Sequence, residues 1–274
     1  MRWAALFFPV RSKSLMMNIM WRRDHIRDML HTIIPRITGA VSTYNDLPAF
    51  VQTGIMLEEP MKDGYWLVGF QYELSGHLYS LGRIPRCKSA MLKHLKEGDK
   101  VLVAGVGHGT EAIEASRLGA DVTAVDLSET MLKHFRKRIT KEKPPKEIRI
   151  IHDDIFNVRD TGQYDMVISN FFLNVFSETR VREVANHLGT LVRPGGYLVV
   201  GEFVLPEQGW RGIVQTINWY IAISIYSSTT EAVFHPVWDY PGLVKGAGCT
   251  IEHIEYFDIL GVNLYWSILG RKIG

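Results

Sequence analysis

Apolar positions run along the chain in two rhythms, and the switch between them marks the elements. Val101–Val103 is apolar without interruption, the pattern of a strand buried on both faces. Helix formers follow over Thr110–Leu118, then a second strand pattern over Asp121–Val125. Two more strand patterns close the chain, Thr250–Phe257 and Leu264–Leu269. Strand, tight turn and helix in alternation predict an α/β fold. Upstream, residues 58–84 carry Tyr65, Trp66, Phe70, Tyr72, Leu74, Leu78 and Leu81 at helical intervals, which predicts a cap packed by one face. Ile84-Pro85 is expected to break that cap from a helix over Ser89–Lys96, and Glu97-Gly98-Asp99 to turn into the first strand.

The stretch Gly209–Thr230 is too long for a simple connection and holds Trp210, Trp219, Tyr220, Ile221, Ile223, Ile225 and Tyr226. It predicts an inserted helix, a lid over about 207–235. Arg211 is its only charge, which argues against a helix lying on a membrane surface. A homodimer interface stays open beside a monomer. Pro236–Ala247 predicts one more helix, ended by Gly246 and Gly248. No run of 18 apolar residues occurs, so no membrane span is expected.

Composition changes this picture little. In 274 residues, 46% hydrophobic content and a net charge of +2 describe an ordinary globular chain with one good core, in which nothing asks for nucleic acid. The basic residues from Lys133 to Lys146 are interrupted by Glu142 and Pro144-Pro145 and read as a solvated face. Cys87 and Cys249 stand far apart without metal-ligand spacing, so free thiols, a reducing cytoplasmic setting and no metal are expected. Before Asp24 the chain is basic, with Arg2, Arg11, Lys13, Arg22 and Arg23. An organelle leader over residues 1–23, an amphipathic helix over Met16–Ile34 and an over-extended start all fit that segment.

The chemistry concentrates between residues 101 and 200. Gly105, Gly107 and Gly109 alternate between the first strand and its helix. Such a turn needs glycine's backbone freedom, and the freed amides at the helix start attract an anionic group. Asp126 stands 126 − 105 = 21 residues after the first glycine, at a strand end where an acid can accept both ribose hydroxyls. The dinucleotide fingerprint requires glycine where Thr110 stands. The G-x-G-x-G spacing instead resembles the class I S-adenosylmethionine (SAM) methyltransferases. So do Val122–Leu132, His152–Phe156, Tyr164–Asn170 and the Pro194-Gly195-Gly196 turn into Val200.

That resemblance implies a Rossmann-like, seven-stranded, mostly parallel sheet with an antiparallel last strand, a helical N-terminal cap (1–84) and a SAM-binding domain (85–274). It places SAM against Gly105, Gly107 and Gly109, its ribose on Asp126, and its adenine between Leu127 and Ile155. Asp154, or its neighbour Asp153, accepts from the adenine amine, and Asn170 and Phe171 edge the cofactor. The family's usual acid two residues before the first glycine is Val103 here, as in a branch that uses SAM for amino transfer in making rhodoquinone.

Methyl transfer needs positioning more than protein acid–base chemistry, and a base only where the acceptor must lose a proton. The candidates for that base are His77, Tyr79, His108, Glu202 and His235. Asn170-Phe171-Phe172-Leu173 lacks the two prolines of the amide and nucleic-base N-methyltransferases. Tyr72, Tyr79, Trp219 and Tyr220 are expected to line a site for a small or medium, largely apolar acceptor, with an O, N, S or C nucleophile. The alternatives are another SAM-dependent group transfer, for example amino transfer to a quinone, and a non-catalytic SAM-binding partner protein.

Overall fold

The computed structural model describes residues 72–229 and 235–274. The leader, the Met16–Ile34 helix, most of the 1–84 cap and the end of the 207–235 lid lie outside the described residues. Within them, helices α1 (Tyr72–Tyr79) and α2 (Arg83–Ser89) lead through a 3-10 turn into strand β1 (Lys100–Ala104). Then come α3 (Thr110–Arg117), β2 (Asp121–Asp126), α4 (Glu129–Glu142), β3 (Arg149–His152), β4 (Tyr164–Asn170), α5 (Glu178–Leu191) and β5 (Val192–Phe203). The order ends with α6 (Trp210–Thr229), α7 (Tyr240–Gly246), β6 (Cys249–Ile259) and β7 (Val262–Lys272).

The seven strands form one sheet in the order β3-β2-β1-β4-β5-β7-β6. The pairs from β3 to β5 are parallel, and β7 runs antiparallel to both β5 and β6. This is the Rossmann-like, mostly parallel sheet with an antiparallel last strand that the sequence predicts. The order reverses at β1, so β1 and β4 diverge at their carboxyl ends and leave a crevice where open α/β sheets bind ligands. Val101, Val103, Leu132, Phe135 and Ile168 share one buried core with Ile113 of α3. Fully burying each such large side chain contributes about 1.5–3 kcal/mol.

Four boundaries differ from the sequence reading. Where a helix is expected over Ser89–Lys96, α2 ends at Ser89 and the 3-10 turn runs over Ala90–His94. Pro85 does not end a helix but sits in the first turn of α2, where a missing N–H costs no intrahelical bond. Residues 236–239 are not helical; Asp239 starts α7 instead, its carboxylate accepting from the amide of Gly242 at 3.0 Å. Pro194-Gly195-Gly196 bulges out of β5 rather than preceding it. Tyr164 pairs with Val192 and Met166 with Tyr197, so two steps on β4 match five on β5.

Candidate active site

The glycine loop is held from below by its neighbour strand. The amides of Gly105 and Val106 donate to the carbonyl of Val125 at 2.9 and 3.0 Å. All three loop glycines have positive φ, 66°, 51° and 73°. At Gly109 a Cβ would lie 2.0 Å from the Phe135 ring, whereas at Gly107 it would meet nothing within 4 Å. Gly109 therefore lets the loop pack on α4, and Gly107 leaves open space above it.

Asp126 ties this loop to the next helix. Its Oδ2 accepts from the Gly107 amide at 2.9 Å and its Oδ1 from the Ser128 amide at 2.9 Å. Ser128 caps α4 in turn, its hydroxyl accepting from the Met131 amide. One carboxylate thus fixes the height of the loop and the entry of α4 together. Leu127 follows it half-exposed, beside the open face.

After β3, Asp153 and Asp154 take different jobs. The Asp153 carboxylate accepts from the Asp154 amide and the Asn157 side chain, both at 2.7 Å, which holds its carboxyl below the usual range. Asp154 caps the 3-10 turn Ile155–Asn157, accepting from the Phe156 amide at 3.0 Å, and stands 4.0 Å from the Arg180 guanidinium. Ile155 is buried, and its carbonyl faces the His187 ring at 2.9 Å.

The turn after β4 divides two phenylalanines. Phe171, at φ 52°, packs its ring edge-on against Phe203 and near Tyr265. It is Phe172 that lies over Gly105, with its ring 2.2 Å from where a Cβ would be. Of the two rings, Phe172 is thus the one beside the glycine loop, whereas Phe171, expected at the cofactor's edge, lies among Phe203 and Tyr265. Asn170 turns inward, 3% exposed, its amide donating to the carbonyl of Lys88 at 3.0 Å.

Beyond this turn two of the expected bases, Glu202 and His235, are held in side-chain-to-backbone bonds. Glu202 is fully buried, and burial pushes its carboxyl up to about 8 although the Asn174 amide donates to it. His235 is buried with both ring nitrogens on carbonyls, Nε2 on Asn174 at 2.8 Å and Nδ1 on Pro236 at 2.6 Å. Its ring stacks on Trp238 at 4.2 Å, and burial outweighs those carbonyls to pull its pKa down. His108 stacks on His134 of α4, away from the turn, and His77 is exposed beside Gly82.

The lid residues are equally occupied. Trp219 is 2% exposed, donates to the His235 carbonyl at 2.6 Å and meets the Phe203 ring edge-on. Tyr220 is buried too. Tyr79 donates its hydroxyl to Asn218 of α6, and burial pushes its phenol well up. Tyr72 opens α1, and its side chain lies outside the described residues. Sequence reasoning missed Phe172, Trp238 and the buried Glu111. An acid in a first helical turn reads as a routine dipole partner, so Glu111 gave no signal.

The chain's residues fit SAM. Space lies open over Gly107, and a carboxylate able to accept about four hydrogen bonds is oriented beside it. Comparison with known proteins agrees. Residues 101–196 match the methyltransferase-domain family. Carboxy-S-adenosyl-L-methionine synthase of Chromohalobacter salexigens is 35% identical over 121 residues, 42% of this chain and 44% of that one. Demethylmenaquinone methyltransferase of Clavibacter sepedonicus is 28% identical over 142 residues, 51% of this chain and 56% of that one. The chain thus spans about half the length of the curated relatives it matches. Among solved structures, the 1,6-didemethyltoxoflavin-N1-methyltransferase of Burkholderia thailandensis, with bound S-adenosylhomocysteine, shares the fold. The TM-score is 0.54 at 14% identity, over 80% of this chain and 94% of that one. The strand order and the glycine loop agree with the family match: residues 101–196 are similar to the methyltransferase-domain family and sit in the fold of class I SAM-dependent methyltransferases.

Proposed function

We propose that the chain transfers the methyl group of SAM to a small or medium, largely apolar acceptor. The observation that carries this reading is the Asp126 carboxylate, oriented by the amides of Gly107 and Ser128 beside the open face of the loop. When bound, SAM supplies an electrophilic methyl on a sulfonium leaving group. The chain's part is to bind and orient. Asp126 takes the ribose beside the open space over Gly107, and Phe171, Phe203 and Tyr265 make an apolar wall at the carboxyl ends of β4 and β5.

Glu202 and His235 serve the turn that carries this wall rather than the acceptor's proton, since both are buried in bonds to Asn174. Positioning then supplies the rate enhancement, and the acceptor brings its own lone pair or an acidic proton. A second reading is a different SAM-dependent group transfer, such as amino transfer to a quinone. It is favoured by Val103 at the strand end and by the relative from Chromohalobacter, whose name is that of a synthase of a modified SAM.

Thermal unfolding tests the cofactor half. S-adenosylhomocysteine is expected to raise the melting temperature, and NAD and NADP to leave it unchanged; a shift with NAD alone sinks the reading. Incubation of methyl-labelled SAM with an apolar extract tests the transfer. Label in an apolar product together with S-adenosylhomocysteine supports methylation. Turnover of SAM without label transfer supports the second reading, and binding without turnover points to a non-catalytic partner protein.

A further inference from the structure

We infer that Glu111, Asn170 and Lys88 form the subsite for the amino-acid end of SAM, the first two receiving its ammonium and Lys88 its carboxylate. The inference rests on the cofactor reading above, and its evidence lies elsewhere in the site. Glu111 is the second residue of α3 and is 1% exposed; its Oε2 has no hydrogen-bond partner. Asn170 ends β4, 3% exposed, and its Oδ1 has no partner either. The two side chains touch, the Asn170 amide lying 3.4 Å from Glu111 Oε1. Two adjacent buried acceptors without a donor are rare in native proteins. What they lack is a compact donor with several protons, and an ammonium carries three.

The register puts this pair in the crevice. Val103 pairs with Ile168, and Asn170 is two residues further along β4, on the same face of the sheet. Val103 itself is buried and apolar, so β1 offers no acceptor there, and α3 brings the acid instead. Gly201 lies opposite Asn170 on β5, and a Cβ on it would stand 2.4 Å from Asn170 Oδ1. The missing side chain is what lets that oxygen sit where it does. Lys88 adds the opposite charge, its ammonium 3.5 Å from Glu111 Oε1 and its side chain 15% exposed. A carboxylate beside a lysine is the complement of a zwitterion, and the amino-acid end of SAM is one.

The competing explanations are an ordered water between the two acceptors and an ion pair that only ties α2 to α3. Calorimetry on the full chain separates them with three nucleosides. These are S-adenosylhomocysteine, its analogue lacking the carboxylate, and 5′-methylthioadenosine, which lacks the whole amino-acid end. Wild type is expected to bind the first at least tenfold more tightly than the third. Glu111→Gln is expected to weaken S-adenosylhomocysteine and the carboxylate-free analogue by about tenfold to a hundredfold, leaving methylthioadenosine unchanged. Lys88→Gln is expected to weaken S-adenosylhomocysteine alone.

Equal wild-type affinity for the first and third nucleosides overturns the subsite without any variant, so a misfolded Glu111→Gln does not protect the proposal. Equal loss for all three in Glu111→Gln, with a lowered melting temperature, assigns Glu111 to structure and overturns it as well. Wild type that binds none of the three removes the SAM reading itself, a distinguishable failure.

Discussion

The two halves of the crevice are built on opposite plans. On the β1–β2 side, the loop is built from backbone amides and one carboxylate within about two dozen residues of each other. Gly107, Asp126 and Ser128 meet there with open space above the loop. On the β4–β5–β7 side, the turn at Asn174 is held by Glu202 from β5 and by His235 from beyond α6. Trp219 of α6 is tied to the same histidine, and Tyr79 reaches across 139 positions to Asn218. The first half leaves open space beside its polar groups, and the second buries them in itself. Groups of similar chemistry therefore stand in different settings: Asp126 ties the loop to α4 at the edge of open space, whereas Glu202 fastens a buried turn.

The sharpest way to break that contrast is through pH. The Glu202 carboxyl is pushed from 4.5 to about 8 by burial, so the folded protein holds a proton that the unfolded chain releases. Its contribution is complete below about 4.5 and is lost as pH rises through 8, a change of up to about 5 kcal/mol. His235 has the opposite sign, since its depressed pKa favours the fold above the ordinary value of 6.5. Glu202→Gln keeps the shape and abolishes the proton release, so its melting temperature is expected to vary less between pH 5 and 9 than that of wild type. Parallel pH profiles for the two proteins would show that Glu202 is ionised and available as a base.

Within the first half, two glycines separate packing from recognition. Gly109→Ala forces a Cβ into the Phe135 ring at a φ of 73°, and is expected to cost about 3 kcal/mol in stability. Gly107→Ala meets no atom, and the left-handed backbone alone costs about 1 kcal/mol. It nevertheless places a methyl on the open face. SAM affinity is expected to fall for Gly107→Ala out of proportion to its small loss of melting temperature. A loss confined to stability would mean that the ligand does not cross this loop.

The same contrast explains what was legible in the sequence. The glycine spacing, the apolar runs and the acid at residue 126 are local, so the α/β alternation and the loop followed from them, and the resemblance they carry implied the mostly parallel sheet. Helix α6 was legible as Gly209–Thr230 because large apolar residues recur along it and Arg211 is its only charge. What the sequence did not show was long-range. Nothing within a few residues of Glu202 or His235 says that both close on Asn174. Pro236 was taken for a helix start because Asp239 had to be recognised as the cap, and the divergence of Phe171 and Phe172 depends on one left-handed residue.

A smaller effect tests the link between loop and ligand. Asp126→Ala removes the acceptor for two amides and for the ribose, and SAM affinity is expected to fall tenfold to a hundredfold, about 1.5–3 kcal/mol. Because the same carboxylate orders the loop, a modest drop in melting temperature should accompany it. Asp126→Asn, which keeps an acceptor but not the charge, should fall between. Calorimetry that finds wild-type affinity in the alanine variant would place the ribose elsewhere.

The smallest effect decides what the lid is for. If Trp219 and Tyr220 line an acceptor site, replacing them raises the acceptor's KM and leaves the fold alone. The placement of Trp219 points the other way: it is 2% exposed, donates to the His235 carbonyl and packs on Phe203, with no face turned to solvent. Trp219→Phe keeps most of the apolar contact and deletes one hydrogen bond, and is expected to cost about 1 kcal/mol, more if the carbonyl is left dry. A fastening role predicts that this loss appears in the melting temperature while SAM affinity stays at the wild-type value. It also predicts that the Trp219→Phe and Glu202→Gln effects are not additive, because both act on the turn at Asn174. Additive losses would show the lid and the β5 acid to be independent. A raised acceptor KM at unchanged melting temperature would return Trp219 to the pocket wall.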